Sequence, residues 1–395
     1  MRKVVVTGMG IVSPLGCNVD RVFNNLMKGK SNFLISDQLK REYPEGRKRT
    51  SNVSSDFEAL CKSFGIQPVR SFSNYVKLSV LQAIKDAELS VKDIDCDLYI
   101  GTCESATFER VGYYQTPMNE IGNYLEGEKP VDKIAEISFN LGIKGETLSF
   151  PIACTGGNIA ITVGAKKIMY GNSKVCIVGG ADILTDKIYS TFYNLGSLAK
   201  TDCKPFHKSR DGIIVGEGAA FIIIEDLIHA LDRSATIYAE IKGFNISCDA
   251  HHLTTPDNEG KMASISIEKA LRKAHLEPKD ISYISPHATG TVANDLQEVN
   301  ALIKVFGNRI SMIPVSPIKS LLGHCMGAAS AMEAIAIIKS IQTGKIPHTV
   351  NYCDSDTDFL YPLLLSDFPP ISVDTVLSNS YAFGGNICSV IFSKI

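Results

Sequence analysis

Short apolar runs alternate with longer stretches of helical spacing along nearly the whole chain. Residues 174–180 and 219–225 are almost entirely apolar and of strand length, which is typical of strands covered on both faces of a sheet. Residues 73–89 instead place an apolar side chain every three or four positions, as a helix with one buried face does. The alternation predicts an α/β fold in which helices cover both faces of the sheets.

The second half of the chain repeats this order of elements from about residue 236. We therefore predict two comparable layered halves, residues 1–235 and 236–395, and a hairpin at residues 375–392 that closes the second half. The elements that we expect in the second half are strands at 237–244, 281–285 and 313–316, and helices at 263–274, 294–306 and 328–343.

Charge and composition exclude several classes of protein. The formal net charge of −2 produces no global field that would attract nucleic acid or an anionic membrane. No apolar run approaches the roughly 18 residues that a membrane span needs, so we expect none. The 11 cysteines are odd in number and form no CxxC pair, which indicates reduced thiols in a cytoplasmic protein.

The N-terminus carries a glycine pattern that resembles part of a dinucleotide-binding motif. Residues 3–6 predict a buried strand, and residues 7–10 (TGMG) predict a turn after it. The third glycine of that motif is missing, and Ser13-Pro14 interrupts the helix that would receive a pyrophosphate. We therefore reject a dinucleotide site here.

Cys154 stands between a predicted strand and a predicted helix. Apolar residues alternate over 148–152, a small polar bend follows at 155–158, and residues 159–170 have the character of a buried helix. A thiol near a helix N-terminus faces unpaired N–H groups and the positive end of the helix dipole, which favour the thiolate. Cys154 is either a nucleophile or a small buried residue, and this stretch alone leaves both open.

Two of the eight histidines lie where α/β proteins build sites. His287 follows the strand predicted at 281–285, and His324 precedes the helix predicted at 328–343. With Cys154 they fit a zinc site, although no further ligand has a local signature, or a cysteine hydrolase, which would leave one histidine and Lys319 unused. The residues alone leave these alternatives open, together with purely structural histidines.

Six segments occur in the order found in β-ketoacyl-acyl carrier protein synthases, and together they identify a resemblance from about residue 3 to residue 394. The chain looks like the elongating type, similar to type II fatty acid and polyketide ketosynthases. The segments are TGMGIVSPLG at 7–16, IACTGG at 152–157, CKPFHKSRDGIIVGEGAA at 203–220, PHATGT at 286–291, IKSLLGHCMGAA at 318–329 and SNSYAFGG at 378–385.

The resemblance implies a thiolase-like fold, with two similar α-β-α-β-α halves in one compact unit. It implies a dimer, made of two copies or of this chain and a related ketosynthase-like subunit. Cys154 would carry the acyl chain as a thioester, His287 and His324 would complete a Cys-His-His set, and Lys319 and Glu333 would support them.

The resemblance also implies how substrates bind. Phe383 matches a gating aromatic beside the acyl pocket, and Gly384 lies in the loop that this aromatic begins. Thr289 and Thr291 match hydroxyls that hold a phosphopantetheine arm. That arm belongs to the acyl carrier protein, so we expect no cofactor and no metal of the chain's own. Three basic residues are either docking contacts for an acidic carrier or solvated charges: Lys204, Lys208 and Arg210.

Several positions depart from the usual family pattern. Asn386-Ile387 follows the two glycines where Thr-Asn is usual, His207 replaces an aspartate, and Ala288 replaces a glycine. Residues 101–105 replace a more glycine-rich stretch at the border of the pocket. We interpret these departures as signs of a specialised polyketide or polyene pathway rather than housekeeping fatty acid synthesis.

Two further classes compete with an active ketosynthase. A non-catalytic chain-length subunit of a heterodimer generally lacks the cysteine, whereas Cys154 stands here with both histidines and the lysine. A thiolase that uses coenzyme A thioesters would carry a second cysteine in a Cys-x-Gly setting near residue 385. Cys388 follows Asn386-Ile387 and precedes a serine, so it does not fit that setting. We favour the enzyme.

Overall fold

The computed structural model describes residues 1–36, 39, 43, 48–90, 95–103, 130–351 and 371–395. Its strands are β1 (Val4–Val12), β2 (Phe33–Ile35), β3 (Arg49–Ser51), β4 (Cys96–Thr102), β5 (Thr147–Pro151), β6 (Val175–Asp182), β7 (Val215–Gly216), β8 (Gly218–Asp226), β9 (Ala239–Cys248), β10 (Tyr283–Ser285), β11 (Thr375–Ala382) and β12 (Asn386–Ser393). Its α-helices are α1 (Val19–Met27), α2 (Phe57–Ser63), α3 (Phe72–Asp86), α4 (Pro130–Leu141), α5 (Gly156–Met169), α6 (Asp186–Asn194), α7 (Leu227–Asp232), α8 (Lys261–Ala274), α9 (Val292–Phe306), α10 (Lys319–Leu322) and α11 (Ala329–Thr343).

One nine-stranded sheet runs through this part of the chain in the order β10-β11-β12-β9-β1-β8-β6-β4-β5. The strands of the first half pair parallel from β5 through β4 to β6 and antiparallel from β6 through β8 to β1. Strand β1 joins β9 of the second half, and β12 pairs antiparallel with both β9 and β11. The β11–β12 pair confirms the hairpin predicted at the end of the chain.

Helices cover the sheet in the layers that the sequence predicts. Helix α3 packs on β1 and β8 on one outer face, and α8 packs on β9 and β12 with α9 beside it. Helices α5 and α11 contact each other between the two halves of the sheet, where the largest apolar cluster lies. The predicted α/β layering is confirmed, and the division at residue 235 stays a prediction. No helix of the described chain is both long and apolar enough for a bilayer.

The predicted turn at residues 7–10 is wrong, because β1 continues through it with only a shift of register between Val6 and Gly8. A Cβ built on Gly8 would lie 2.3 Å from Ala83 O, and one on Gly10 would lie 2.0 Å from Ser79 O. Both oxygens belong to α3, so these glycines bring the helix backbone directly onto the strand. The glycines serve helix–strand packing, which the sequence alone cannot distinguish from a turn.

The strand predicted at residues 313–316 is also wrong and shrinks to one bridge between Val315 and Ile284. Ile284 N donates to Pro314 O at 2.9 Å, and Ser316 N donates to Ile284 O at 3.1 Å. Pro314 has no N–H to extend the ladder, so the segment pairs with the sheet edge only at this point.

Candidate active site

Cys154 lies in a tight turn between β5 and α5. Residues Ala153–Thr155 form a single 3₁₀ turn, and α5 begins at Gly156, earlier than the bend expected at 155–158. Ala153 adopts a φ of +45°, which is costly for a residue with a side chain and is typical of strained turns at functional sites. The turn places the Cys154 thiol just before the helix N-terminus, as predicted, with the residue only 6% exposed.

Each histidine lies in a loop whose backbone is fixed by hydrogen bonds to other parts of the chain. The N–H groups of His287 and Ala288 donate to the two carboxylate oxygens of Glu298 on α9, at 2.8 Å and 2.7 Å. His324 N donates to Ile214 O at 2.7 Å, and Gly216 N donates to His324 O at 2.9 Å. Both imidazole rings are therefore carried by fixed backbone rather than by mobile loops.

The three predicted reactive side chains form one buried cluster. One ring nitrogen of His287, one of His324 and the Cys154 sulfur all lie within 4.8 Å of one another. The two rings are 5.5 Å apart and nearly perpendicular, at 82°. These distances would also suit a metal ion, although the Lys319 ammonium beside the cluster opposes a further cation. The expectation of no metal stays a prediction.

Lys319 lies directly beside His287 and is paired with Glu333, and neither charged residue lines the cavity. Lys319 Nζ donates to Glu333 Oε1 at 2.5 Å and to His287 O at 2.6 Å, and it lies 3.4 Å from His287 Nδ1. Both charged side chains are only 2% exposed. The pair therefore positions a buried positive charge next to one imidazole, as a support rather than as a surface for substrate.

The electrostatics of the cluster favour a thiolate beside a neutral imidazole. The pKa of Cys154 lies well below its usual value, chiefly because the Cys103 thiol donates a hydrogen bond to it, with His324 and Lys319 acting in the same direction against burial. Burial, followed by the charge of Lys319, lowers the pKa of His287 well below its usual range. At neutral pH the site holds a nucleophile and an uncharged N–H donor.

A cavity of about 270 Å³ opens onto this cluster. All the predicted site residues except Lys319 and Glu333 line it: Cys154, His287, His324, Thr289, Thr291, Phe383 and Gly384. The hydroxyls of Thr289 and Thr291 are 2.9 Å apart, so they present one polar spot on the wall. Phe383 is 38% exposed, and the centre of its ring lies 5.9 Å from that of Phe192 on α6.

The loop after Phe383 depends on two glycines in the left-handed region. Gly384 and Gly385 have φ values of +79° and +78°, and a Cβ on Gly385 would lie 2.0 Å from Asp249 Oδ1. Gly384 N donates to Leu253 O at 2.8 Å, and Asp249 N donates to Gly385 O at 2.9 Å. The loop is therefore hydrogen-bonded on both glycines even though Asn-Ile follows them.

Sequence reasoning missed three residues that build the site: Cys103, Asp182 and Glu298. Asp182, at the end of β6, accepts hydrogen bonds from Cys103 N at 2.9 Å and Gly327 N at 2.6 Å. For Cys103 and Asp182 the available signal was positional, since the carboxyl ends of the neighbouring parallel strands β4 and β6 meet at one edge of the sheet. Of the unusual stretch 101–105, residues 104 and 105 lie outside the described chain.

Two residues that the sequence analysis weighed have structural roles. Arg210 was a possible docking contact, but it is only 9% exposed and its guanidinium donates to His207 O at 2.9 Å. Cys388 is fully buried with its sulfur 3.4 Å from Thr162 Oγ1 on α5, and burial raises its pKa to about 12. A protonated thiol inside the central layer is not a second catalytic cysteine.

Comparison with known proteins agrees with this geometry. The family models described as beta-ketoacyl synthase, N-terminal domain and C-terminal domain, match residues 1–230 and 238–353. The chain is 30% identical over 417 residues to 3-oxoacyl-[acyl-carrier-protein] synthase 2 of Staphylococcus aureus, covering 100% of this chain and 98% of that protein.

Two solved structures superpose along the whole chain. The ishigamide ketosynthase/chain length factor has a TM-score of 0.89 and 30% identity, covering 100% of this chain and 99% of that one. A type II PKS ketosynthase solved in complex with its acyl-carrier protein, AntDE:AntF, has a TM-score of 0.89 and 25% identity over 100% of both chains. The predicted thiolase-like fold is confirmed, and the chain belongs to the beta-ketoacyl synthase family of acyltransferases.

Proposed function

We propose that this chain is a catalytically active ketosynthase, which joins an acyl chain held on Cys154 to a malonyl unit on an acyl carrier protein, with loss of carbon dioxide. The observation that carries the proposal is the buried cluster of one low-pKa thiol and two imidazoles at a cavity wall. A non-catalytic subunit has no use for a nucleophile with a depressed pKa.

The first step loads the acyl chain. The Cys154 thiolate attacks the thioester carbonyl of an acyl-carrier substrate, and the thiolate of the phosphopantetheine arm leaves. The new thioester keeps the acyl group reactive, because a thiolate is both a soft nucleophile and a tolerable leaving group. The backbone N–H groups of Cys154 and Phe383 would receive the oxyanion of this step.

The second step removes carbon dioxide from the malonyl group. The electron pair of the breaking carbon–carbon bond moves onto the thioester carbonyl, whose oxygen gains negative charge. His287 and His324 would each donate an N–H to that oxygen, while Thr289 and Thr291 would hold the arm. A neutral His287 suits this role, since its depressed pKa keeps it uncharged at neutral pH.

The third step forms the new carbon–carbon bond. The carbon of the enolate attacks the acyl carbonyl on Cys154, and the Cys154 thiolate leaves as the tetrahedral intermediate collapses. The product is a 3-oxoacyl chain on the carrier arm, and the thiolate is regenerated. No cofactor or metal of the chain's own takes part in this sequence.

We propose further that a second ketosynthase-like chain, identical or related, pairs at the β5 edge of the sheet. Among the described residues, β5 is the last strand in the sheet order, and Leu148 on it is 39% exposed. An unpaired edge with an exposed apolar residue is a ready template for another strand. The similar structure of the ishigamide ketosynthase/chain length factor supports a related chain as the partner.

We also propose a cytoplasmic enzyme of a specialised polyketide or polyene pathway. The free state of every cysteine in the described chain supports a reducing compartment. Similarity to the type II PKS and ishigamide ketosynthases supports the pathway. Equal elongation of ordinary saturated chains and unsaturated chains by the purified protein would remove the support for a specialised pathway.

The test of the function is intact-protein mass after incubation with an acyl-carrier thioester, followed by addition of malonyl-carrier. Wild type should gain one acyl group and lose it when malonyl-carrier is added, whereas Cys154→Ala should gain none. Wild type that stays unmodified with saturated and unsaturated acyl chains of several lengths, alone and with a related subunit, would instead establish the non-catalytic partner.

A further inference from the structure

A second thiol lies against the nucleophile. Cys103 directly follows β4, and Cys154 lies in the turn after β5, the strand that pairs parallel with β4 as far as Thr102 and Pro151. A Cβ on Gly156 would lie 2.8 Å from Thr102 N, so the end of β4 is in backbone contact with the start of α5. The two cysteines therefore extend from neighbouring points of one packed strand–turn interface.

The position of Cys103 is fixed by its surroundings. Its backbone N–H donates to Asp182 Oδ2 at 2.9 Å, and its side chain packs against the apolar cluster that contains Ile213 and Met326. Of the groups around Cys154, the Cys103 thiol does most to lower its pKa. Because strand pairing fixes the backbone of both residues, the two thiols are neighbours between which a disulfide can form.

The pKa values of the two thiols are shifted in opposite directions. The hydrogen bond and burial raise the pKa of Cys103 well above its usual value, while the pKa of Cys154 is lowered. Cys154 is therefore the thiolate that an oxidant attacks first, and it lines the cavity through which a small oxidant enters. Cys103 keeps its proton and is placed to react second. This is the arrangement of a reactive cysteine beside a resolving cysteine.

We propose that Cys103 and Cys154 form a reversible redox pair, in which a peroxide converts the two thiols into a disulfide that closes the active site and protects it. The proposal rests on the proposed function, because it gives Cys154 a second fate that excludes acylation. A disulfide between these residues removes the nucleophile, and reduction by a dithiol returns it.

The chemistry balances with peroxide as the oxidant. The Cys154 thiolate attacks one peroxide oxygen, the O–O bond breaks, and the released hydroxide takes a proton, which leaves a sulfenic acid on Cys154. The Cys103 sulfur then attacks the Cys154 sulfur, and the hydroxide that departs takes the Cys103 proton to form water. Two thiols are oxidised and one peroxide is reduced to two molecules of water.

The protective role follows from what happens without Cys103. A sulfenic acid that meets no second thiol is open to further oxidation to the sulfinic acid, which ordinary thiol reductants do not reverse. With Cys103 in contact, disulfide formation competes with that loss. The other cysteines near β4 and β6 are buried with raised pKa values, Cys96 and Cys176 among them, so they are poor competitors for peroxide.

The test is peptide mapping of the full-length protein after treatment with hydrogen peroxide and alkylation of the remaining thiols. Trypsin should place Cys154 in the peptide of residues 145–166 and Cys103 in the peptide of residues 93–110, which also contains Cys96. We expect the two peptides to be joined, the mass to fall by two hydrogen atoms, and fragment ions to place the link at Cys103. Cys96→Ala is the matched control and should keep the link.

Acylation by an acyl-carrier thioester gives the second readout. Peroxide should abolish acylation of wild type and dithiothreitol should restore it fully, whereas Cys103→Ser should lose acylation and stay inactive, with a sulfinic acid on Cys154. Oxidation of wild type Cys154 without a link to Cys103, or full recovery of the serine variant, would overturn the redox pair. Failure of reduced wild type to acylate would overturn the proposed function instead, since the link is measured without substrate.

Discussion

Lys319 and Glu333 form a fully buried ion pair whose ammonium also touches the backbone and ring of His287. The Nζ–Oε1 distance is 2.5 Å, and the same Nζ lies 3.4 Å from His287 Nδ1. Burial raises the pKa of Glu333 and the charge of Lys319 opposes that shift. Each charge is tolerable in the interior only because the other is present.

Removal of one partner is therefore expected to cost far more than removal of both. Glu333→Ala should lower the free energy of unfolding by about 3–5 kcal/mol, because it leaves a buried ammonium without its carboxylate. Lys319→Met combined with Glu333→Leu should recover most of that stability. Chemical denaturation of the three proteins measures both effects. A double variant no more stable than Glu333→Ala would show that the pair does not act through charge.

The same double variant should still be a poor catalyst. It lacks the ammonium that holds His287 by its backbone oxygen and that adds to burial in keeping the ring uncharged, so malonyl decarboxylation should fall while acylation of Cys154 falls less. The two rates can be measured separately, as carbon dioxide release and as acyl-protein formation. Equal losses in both would place the role of Lys319 at the thiol rather than at the imidazole.

The reactivity of Cys154 is expected to depend on the Cys103 hydrogen bond. Because the pKa of Cys154 lies well below that of an ordinary thiol, its alkylation by iodoacetamide should fall less between about pH 9 and pH 7 than the alkylation of an ordinary thiol. Cys103→Ala removes the main cause of that low pKa, so alkylation should decline with falling pH in the same window. Cys103→Ser keeps a donor and should behave like wild type.

Other charged and titratable groups also lie near the Cys154 thiol, so this experiment needs a control variant. His324 and Lys319 also lower the pKa of Cys154, and Asp182 lies beside Cys103 with its own pKa raised by burial to about 7. Asp182→Asn tests whether the Asp182 carboxylate, rather than the Cys103 thiol, sets the pH dependence of Cys154 alkylation. If alkylation of Cys154 has the same pH dependence in wild type and Cys103→Ala, Cys103 is not the cause of the low pKa of Cys154.

Glu298 is expected to couple stability to pH through the His287 loop. Burial raises its pKa from 4.5 to about 8, so the folded chain holds the proton more tightly than the unfolded chain. Its stabilising contribution is present below pH 4.5 and is lost as pH rises through about 8. The stability of wild type relative to Glu298→Gln should therefore fall with rising pH across that window, measured by denaturation at several pH values. A constant difference would contradict the raised pKa.

The local pattern around Cys154 could be interpreted from sequence because strand, turn and helix follow one another in the chain. Only the start of α5 was misplaced, since the glycines after Cys154 resemble a bend but continue a helix. Cys103, Asp182 and Glu298 could not be found in this way. The roles of Cys103 and Asp182 depend on which strand ends lie side by side, and the order β6-β4-β5 is set by pairing between distant segments. The role of Glu298 depends on how α9 packs back on the loop of His287 and Ala288.

The same limit explains the wrong turn at Gly8 and Gly10. A glycine pair after an apolar run predicts a turn when only neighbours in the chain are considered. The group that requires the glycines is the backbone of α3, about seventy residues later in the sequence. The strand prediction for residues 313–316 failed for a related reason, because Pro314 permits one bridge but not a ladder.

Close packing of α3 on β1 predicts a substitution that lowers the stability of the fold without changing the reactivity of Cys154. Gly10→Ala would place a methyl group 2.0 Å from Ser79 O, so the helix must move away from the strand. Overpacking of this kind costs about 1–3 kcal/mol, and a clash with backbone that no rotamer can relieve belongs at the upper end. Gly65→Ala is the matched control, because its Cβ would meet nothing within 4 Å and only its φ of +65° is strained. Thermal denaturation should show a larger loss for Gly10→Ala, while the folded fraction of both variants should still be acylated at Cys154. A Gly10→Ala protein as stable as wild type would mean that α3 does not rest on the strand backbone as closely as these distances require.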